Sequence, residues 1–312
     1  MSLNNSAYKP LASLCVLFYN QEMFVDEAID GALSQSYDNC EVILSDDCSS
    51  DRTYEHILKK VANYHGDKTI IINRNEKNIG LVPHVNKIIY EISNGDFILL
   101  TGGDDISLPN RVDDTVRLFQ ENSNISMVTL SAIVIDEKGK EKSRNLTHDR
   151  LTYLTDKDYL CSTSMGAGNN AMAYRRDILF TYGRLSEDCQ TEDSTLRFRS
   201  ILQGPILSSS IIGLKYRIHS NNISIGNRVY RLKSHEIAEQ YRRDLVLQKE
   251  QLSSLLFNLL KKKINYYESY RKISAKQVKK TGSLLKKNLY RLQHLVLRKV
   301  YNLNVSIYNL KK

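Results

Sequence analysis

The chain has 312 residues, with 44 Lys and Arg against 35 Asp and Glu, a net charge of +9 and 41% hydrophobic content. That length buries at least one full core, and the composition is that of a folded soluble protein rather than a disordered or fibrous one. No stretch reaches the roughly 18 uncharged apolar residues of a membrane span, and the N-terminus lacks the apolar run of a signal peptide, so a cytoplasmic protein is expected.

The first 130 residues alternate strand and helix signals at βαβ spacing. Leu14 to Phe18 reads as an apolar strand, and Phe24 to Leu33 as a helix with Phe24, Ala28, Ile29 and Ala32 on one face. Glu41 to Leu44 is a second strand ending at Ser45-Asp46-Asp47. Asp51 caps a helix running to Tyr64, Thr69 to Ile72 is a third strand, and Val82 to Ile92 a further helix. The strand Phe97 to Leu100 stops at Gly102-Gly103 and Asp104-Asp105, and a helix follows from about Pro109 to Glu121. Short apolar strands separated by helices predict a mostly parallel sheet covered on both faces, with ligands bound outside the strand carboxyl ends. Both acidic pairs and the Tyr19-Asn20 turn fall there. Beyond residue 126 the pattern becomes a hairpin around Asp136 to Gly139, then a Gly/Ser-rich stretch with Met165-Gly-Ala-Gly168, Asn169 and Asn170. A helix opens at Thr191-Glu192-Asp193 and runs to about Leu202, followed by an extended segment from Ile206 to Ile218.

Adjacent carboxylates at the end of a buried strand repel each other and resist desolvation, which is poor for stability. They are well placed to hold Mg²⁺ or Mn²⁺ against a phosphate, because such ions take one or two carboxylates plus substrate oxygens. On this segment alone, an acidic N-cap facing the helix dipole is an equally ordinary reading. Thr191-Glu192-Asp193 has the same ambiguity, since Thr191 or Asp193 suits a capping role. The five cysteines are scattered, with no Cys-x-x-Cys pair, which argues against a disulfide framework or zinc site and for a reducing compartment.

Four segments taken together carry a resemblance: Leu14 to Asn20, Val42 to Thr53 with Asp46-Asp47, Asn78-Ile-Gly80 with Asn86, and Gly95 to Asp105. In order and spacing they resemble the motifs of GT-A fold glycosyltransferases, most closely the large inverting family 2, over about residues 11 to 220. The resemblance implies a Rossmann-like GT-A sheet with flanking helices and a C-terminal helical extension. Residues 1–227 would form the catalytic part, with a nucleotide-sugar half (about 11–125) and an acceptor half (about 126–227), and 228–312 a basic helical region. It further implies that Tyr19 flanks the nucleotide base, Asp47 contacts it beside Asp46, and Asn78 and Gly80 shape the nucleotide pocket. Asp104 is then placed near the ribose and Asp105 on the metal, Mn²⁺ or Mg²⁺. Asp193, supported by Glu192, matches the general base. Tyr216-Arg-Ile-His219 resembles a closing motif in which Arg217 faces phosphate and His219 completes the metal shell or touches the diphosphate. Gly102 stands where the family often has a further acid. The implied activity moves a hexose or N-acetylhexosamine, most often UDP-linked, to a polysaccharide or lipid-linked glycan. The rival classes are a nucleotidyltransferase, which lacks its basic Gly-rich phosphate loop near the first strand, and a non-catalytic scaffold binding a membrane or partner.

From Arg228 onward there are 21 Lys and Arg against 5 Asp and Glu, leaving residues 1–227 with 23 against 30. Leu285, Leu289, Leu292 and Val296 share a helical face opposite Lys287, Arg291 and Arg298, and tyrosines 266, 267, 270, 290 and 301 are interleaved. That pattern suits an amphipathic helix on an anionic membrane at the inner face of the cell envelope. A helical subdomain or a dimerisation hairpin of a homo-oligomer fits the same residues. Nucleic acid is disfavoured, because no nucleic-acid module accompanies the charge.

Overall fold

The computed structural model describes residues 8–145, 152–161, 171–189, 191–220, 222 and 234–278. The Met165–Asn170 segment and the Leu285–Val296 helical face lie outside them. The chain runs β1 (Ala12–Phe18), α1 (Val25–Leu33), β2 (Cys40–Asp46), α2 (Thr53–Ala62), β3 (Thr69–Arg74), α3 (Leu81–Lys87) and a π-helical turn at Ile88–Ile92. It continues with β4 (Phe97–Gly102), β5 (Ile106–Ser107), α4 (Arg111–Glu121), the antiparallel pair β6 (Met127–Ile135) and β7 (Glu141–Asn145), and β8 (Thr152–Leu154). Then come α5 (Asp156–Cys161), β9 (Ala171–Arg175), α6 (Arg176–Tyr182), α7 (Asp193–Gln203), β10 (Ile206–Arg217), α8 (Ser234–Leu247) and α9 (Ser254–Val278).

One sheet holds all ten strands, in the order β3-β2-β1-β4-β9-β6-β10-β5, with β7 on β6 and β8 on β10. The first four are parallel, as the βαβ spacing predicts. The remainder is mixed, because β9 enters antiparallel between β4 and β6, and β5 and β8 lie antiparallel on β10.

Alternation along the parallel strands separates two apolar layers, since successive side chains point to opposite faces. Leu14, Val16, Val42, Leu44 and Leu99 pack under α1 and α4, against Ile29, Val112 and Val116. Cys15, Ile43 and Ile98 face the other way, in a layer that contains Val85, Ile88, Leu196 and Phe198. The same layer takes Ile237, Tyr241 and Leu245 of α8 and Leu256, Leu260 and Ile264 of α9. At about 1.5–3 kcal/mol for each large side chain buried, this packing outweighs surface ion pairs of about 0–1 kcal/mol each. The shift in charge at residue 228 therefore does not mark a separate core. Among the described residues no helix is long and apolar enough to cross a membrane.

Candidate active site at the strand carboxyl ends

Register decides what meets at the sheet edge. Phe18 lies opposite Asp46, Leu17 opposite Gly102, and Asp46 opposite Arg74, so the segments after β1, β2, β3 and β4 emerge side by side. The antiparallel contact of β5 with β10, Ser107 to Leu214 and Ile106 to Lys215, brings Arg217 and His219 back over Asp104-Asp105. Sheet pairing alone thus joins residues about 110 positions apart.

Asp104 and Asp105 cap no helix: α4 starts at Arg111, beyond the β5 strand. Asp105 is 4% exposed, and its Oδ1 accepts the Arg217 amide at 2.9 Å. Burial first, and then the Asp104 charge, push its carboxyl well above the usual carboxylate range, against the pull of the Arg217 amide and the Arg111 and Arg217 guanidinium groups. Asp104 Oδ2 meets His219 Nε2 at 2.9 Å and Asn222 Nδ2 at 3.3 Å. The His219 ring packs on Phe24, with centroids 4.8 Å apart. Gly102 is explained by the same geometry: a Cβ there would stand 2.5 Å from Asp104 Oδ1, and one at Gly103 would strike the Phe18 ring. An acid at 102 would therefore displace the Asp104 carboxylate.

Arg217 departs from its expected place. Its side chain is wholly buried, so it does not face a phosphate. Nε donates to the Asp104 carbonyl at 2.9 Å, Nη1 to the Asp136 and Glu137 carbonyls at 3.3 and 3.0 Å, and Nη2 to Glu27 Oε2 at 2.8 Å. The planar fork thus clamps the acidic turn to the β6–β7 hairpin and to α1. Arg217→Lys, whose ammonium cannot span these acceptors, is expected to lower the unfolding free energy by about 2–4 kcal/mol. Urea denaturation checks this, and a phosphate-facing arginine would leave the midpoint unchanged. Beneath the pair, buried Arg111 donates to Ser107 Oγ and the Leu100 carbonyl, both at 2.9 Å. Neither Glu27 nor Arg111 carries a signal in the sequence, because their partners are remote.

The first acidic pair is occupied differently. Asp46, fully buried, accepts Ser49 N–H and Oγ–H and lies 3.4 Å from Arg74 Nε. Asp47 accepts Asn75 Nδ2 at 2.8 Å, Ile79 N at 3.0 Å and Gly80 N at 2.9 Å. It therefore anchors the loop carrying Asn78, which is exposed, while Gly80 turns at φ +85° into α3. Tyr19 stands at the same edge, 49% exposed. Behind Asp47, His84 is buried with its imidazole 2.6 Å from Ser45 Oγ, and desolvation lowers its pKa to about 4, leaving it neutral.

Glu192, not Thr191 or Asp193, takes the N-cap of α7, and its side chain makes no capping bond. The capping-box reading fails there. Asp193 Oδ1 accepts Thr191 Oγ1 at 2.5 Å. Glu192 is part-exposed by area, yet the groups crowding its carboxyl desolvate it; with the Asp193 charge as second cause, its pKa rises to about 7.

A divalent cation suits Asp104-Asp105. Asp105 holds a poorly compensated charge, and among the described residues no three acidic, His or Cys side chains close a cage by themselves. Two carboxylates with the remaining positions left to ligand oxygens match how Mg²⁺ is usually held.

Comparison with known proteins agrees with this geometry. The chain is 26% identical over 290 residues to an uncharacterized glycosyltransferase of Haemophilus influenzae, covering 91% of this chain and 85% of that one. It is 34% identical over 137 residues to the putative glycosyltransferase EpsE of Bacillus subtilis, 44% of this chain, and the match spans about half of that relative's length (48%). Among solved structures, S. aureus TarS 1-349 in complex with UDP-GlcNAc superposes at a TM-score of 0.65 with 17% identity, over 85% of this chain and 79% of that one. The mannosyltransferase PcManGT of Pyrobaculum calidifontis, in complex with GDP-Man and Mn²⁺, gives 0.55 with 13% identity, over 97% and 88%. Both share the GT-A fold. Residues 13–183, more than half of the chain, match the family model described as glycosyl transferase family 2, and with its ordered motifs gathered on one sheet edge the chain belongs to that family.

Proposed function

We propose that this protein is a metal-dependent inverting glycosyltransferase. It moves a hexose or N-acetylhexosamine from a UDP-sugar to a surface polysaccharide or lipid-linked oligosaccharide at the cytoplasmic face of the membrane. The observation that carries the reading is the Asp104-Asp105 pair, which caps no helix, has Asp105 buried, and is held in place by Arg217 and His219 at the strand carboxyl ends.

In this reading Asp105 holds the cation, with the Asp104–His219 pair beside it towards the ribose. A cation held there would supply positive charge to offset the negative charge of a departing diphosphate. The Asp47-anchored loop, Asn78 and Gly80, forms the wall of the base pocket, and Tyr19 flanks the base. Asp193 takes the proton of the acceptor hydroxyl as its oxygen attacks the anomeric carbon. The bond from that carbon to the phosphate oxygen breaks on the opposite face, which inverts the configuration. Glu192 shares the base turn and tunes Asp193 by its own charge. The basic region from Arg228 on is proposed to meet anionic lipid, where each cation adds about 1 kcal/mol.

A thermal-shift panel of UDP-glucose, UDP-galactose, UDP-GlcNAc and UDP-GalNAc, with and without Mn²⁺, tests the donor. A ligand at a hundred times its Kd stabilises the native state by about 2.7 kcal/mol. The reading expects a shift that needs Mn²⁺, followed by release of UDP. Binding without turnover would favour a scaffold, and no binding would remove the donor assignment.

A further inference from the structure

The family match ends at residue 183, yet the segment leading into the Glu192–Asp193 turn and the helix that follows it are held from α8, about fifty residues further on. Gln240 of α8 accepts the Ser186 amide at 2.8 Å through Oε1, and its Nε2 donates to Asp244 Oδ1 at 2.9 Å. Asp244 receives a two-pronged pair from Arg199 of α7, at 2.9 and 3.0 Å, with both side chains at most 1% exposed. Arg199 Nη1 then reaches back to the Gly183 carbonyl at 2.7 Å. The segment is tied again from the donor side, where Asn86 of α3 pairs with both the amide and the carbonyl of Leu185. Within it, Cys189 N donates to the Ser186 carbonyl, and Cys189 Sγ and Thr195 Oγ1 both reach the Thr191 carbonyl. Tyr241 of α8, fully buried, packs edge-on against Phe198 of α7.

We propose that α8 belongs to the catalytic apparatus: Gln240, Tyr241 and Asp244 are positioning residues that hold segment 183–189 and the body of α7, and thereby aim Asp193. This rests on the assignment of Asp193 as the base. The physical argument is one of tolerance. An Asp on the first turn of a helix keeps its direction only if that turn is fixed, and a displacement of about 1 Å costs on the order of a hundredfold in rate. Thr191 Oγ1 and the Ser194 amide hold the Asp193 carboxylate within its own turn, while the contacts that seat the preceding segment and α7 against the rest of the molecule come from α8 and α3.

Gln240→Ala removes the Ser186 contact and one hydrogen bond to Asp244, while both direct Arg199–Asp244 bonds keep their partners. Ile237→Ala, one turn earlier and facing the core at 1% exposure, is the control for simple loss of packing. Both are measured as full-length protein with Mn²⁺ and the panel donor giving the largest shift, reading UDP release against pH, and donor Kd. The expected result for Gln240→Ala is a kcat lowered about tenfold, a donor Kd within twofold, and a displaced pH midpoint of the limb near 7. Ile237→Ala is expected to lose at least as much thermal stability and keep both kcat and midpoint. An unchanged kcat in Gln240→Ala, or equal losses in the two variants, overturns the proposal. Asp193→Asn in the same assay separates the readings: if it still turns over donor, the base assignment falls and takes this proposal with it. If it is silent while Gln240→Ala is fully active, only the role of α8 falls.

Discussion

Replacing Asp105 by Asn lowers donor turnover by about a thousandfold, the loss expected when an enzyme gives up the several kcal/mol of charge stabilisation a bound cation provides. The same substitution leaves the unliganded protein as stable as before or slightly more so. It removes one of two adjacent charges from a buried place, while the Asn carbonyl still accepts the Arg217 amide. A gain of about 1 kcal/mol appears as a rise of a few degrees in Tm. The two readouts move in opposite directions, and this separates a lost ligand from a damaged fold. Circular dichroism melts without metal and UDP release with Mn²⁺ measure them, and the Mn²⁺-dependent shift by UDP-sugar should vanish. Full turnover in this variant would sink the metal assignment.

Asp193→Asn is expected to slow transfer by about 10²–10⁴-fold, the span ascribed to a general base, with Mn²⁺-assisted donor binding retained. The pH dependence follows from Glu192. As pH rises through about 7 its carboxyl ionises beside Asp193, making Asp193 the stronger base, so the wild-type rate climbs across that interval. Glu192→Gln flattens the limb. Stability moves the other way: the folded-state pKa lies above the unfolded value of about 4.5, so the native state keeps a proton that the unfolded chain has lost. That contribution is complete below about 4.5 and is lost as pH rises through about 7. Glu192→Gln should therefore reduce the fall in stability over this window, which denaturant midpoints at several pH values record.

Much of the nucleotide half was legible beforehand. Apolar runs and helical spacing placed β1, β2, β4, α1 and α4 to within a few residues, and the acidic pairs lie at strand ends as expected. Legibility fell where neighbours in space replaced neighbours in sequence. The helix expected over Val82 to Ile92 ends at Lys87 and passes into a π-turn, where Tyr90 Oη bonds the Leu179 and Gly183 carbonyls of another element. The resemblance of Tyr216-Arg-Ile-His219 to a closing motif points Arg217 at phosphate. Its acceptors are instead the main-chain carbonyls at 104, 136 and 137 and the Glu27 carboxylate, which no local pattern announces.

What the amino-acid sequence determined by itself is the class of chemistry: carboxylates at the carboxyl ends of buried strands, glycines beside them, and an acidic turn opening a later helix. These are local properties, set by side-chain type and spacing along one element. Tertiary structure alone decided which acid is desolvated, which arginine is structural and which helix packs against the acidic turn's supporting segment. Those outcomes depend on burial and on contacts between residues far apart in the chain, Arg217 with Glu27 and Gln240 with Ser186 among them. Desolvation and hydrogen-bond geometry are settled only when the sheet closes, and period and propensity carry no record of either.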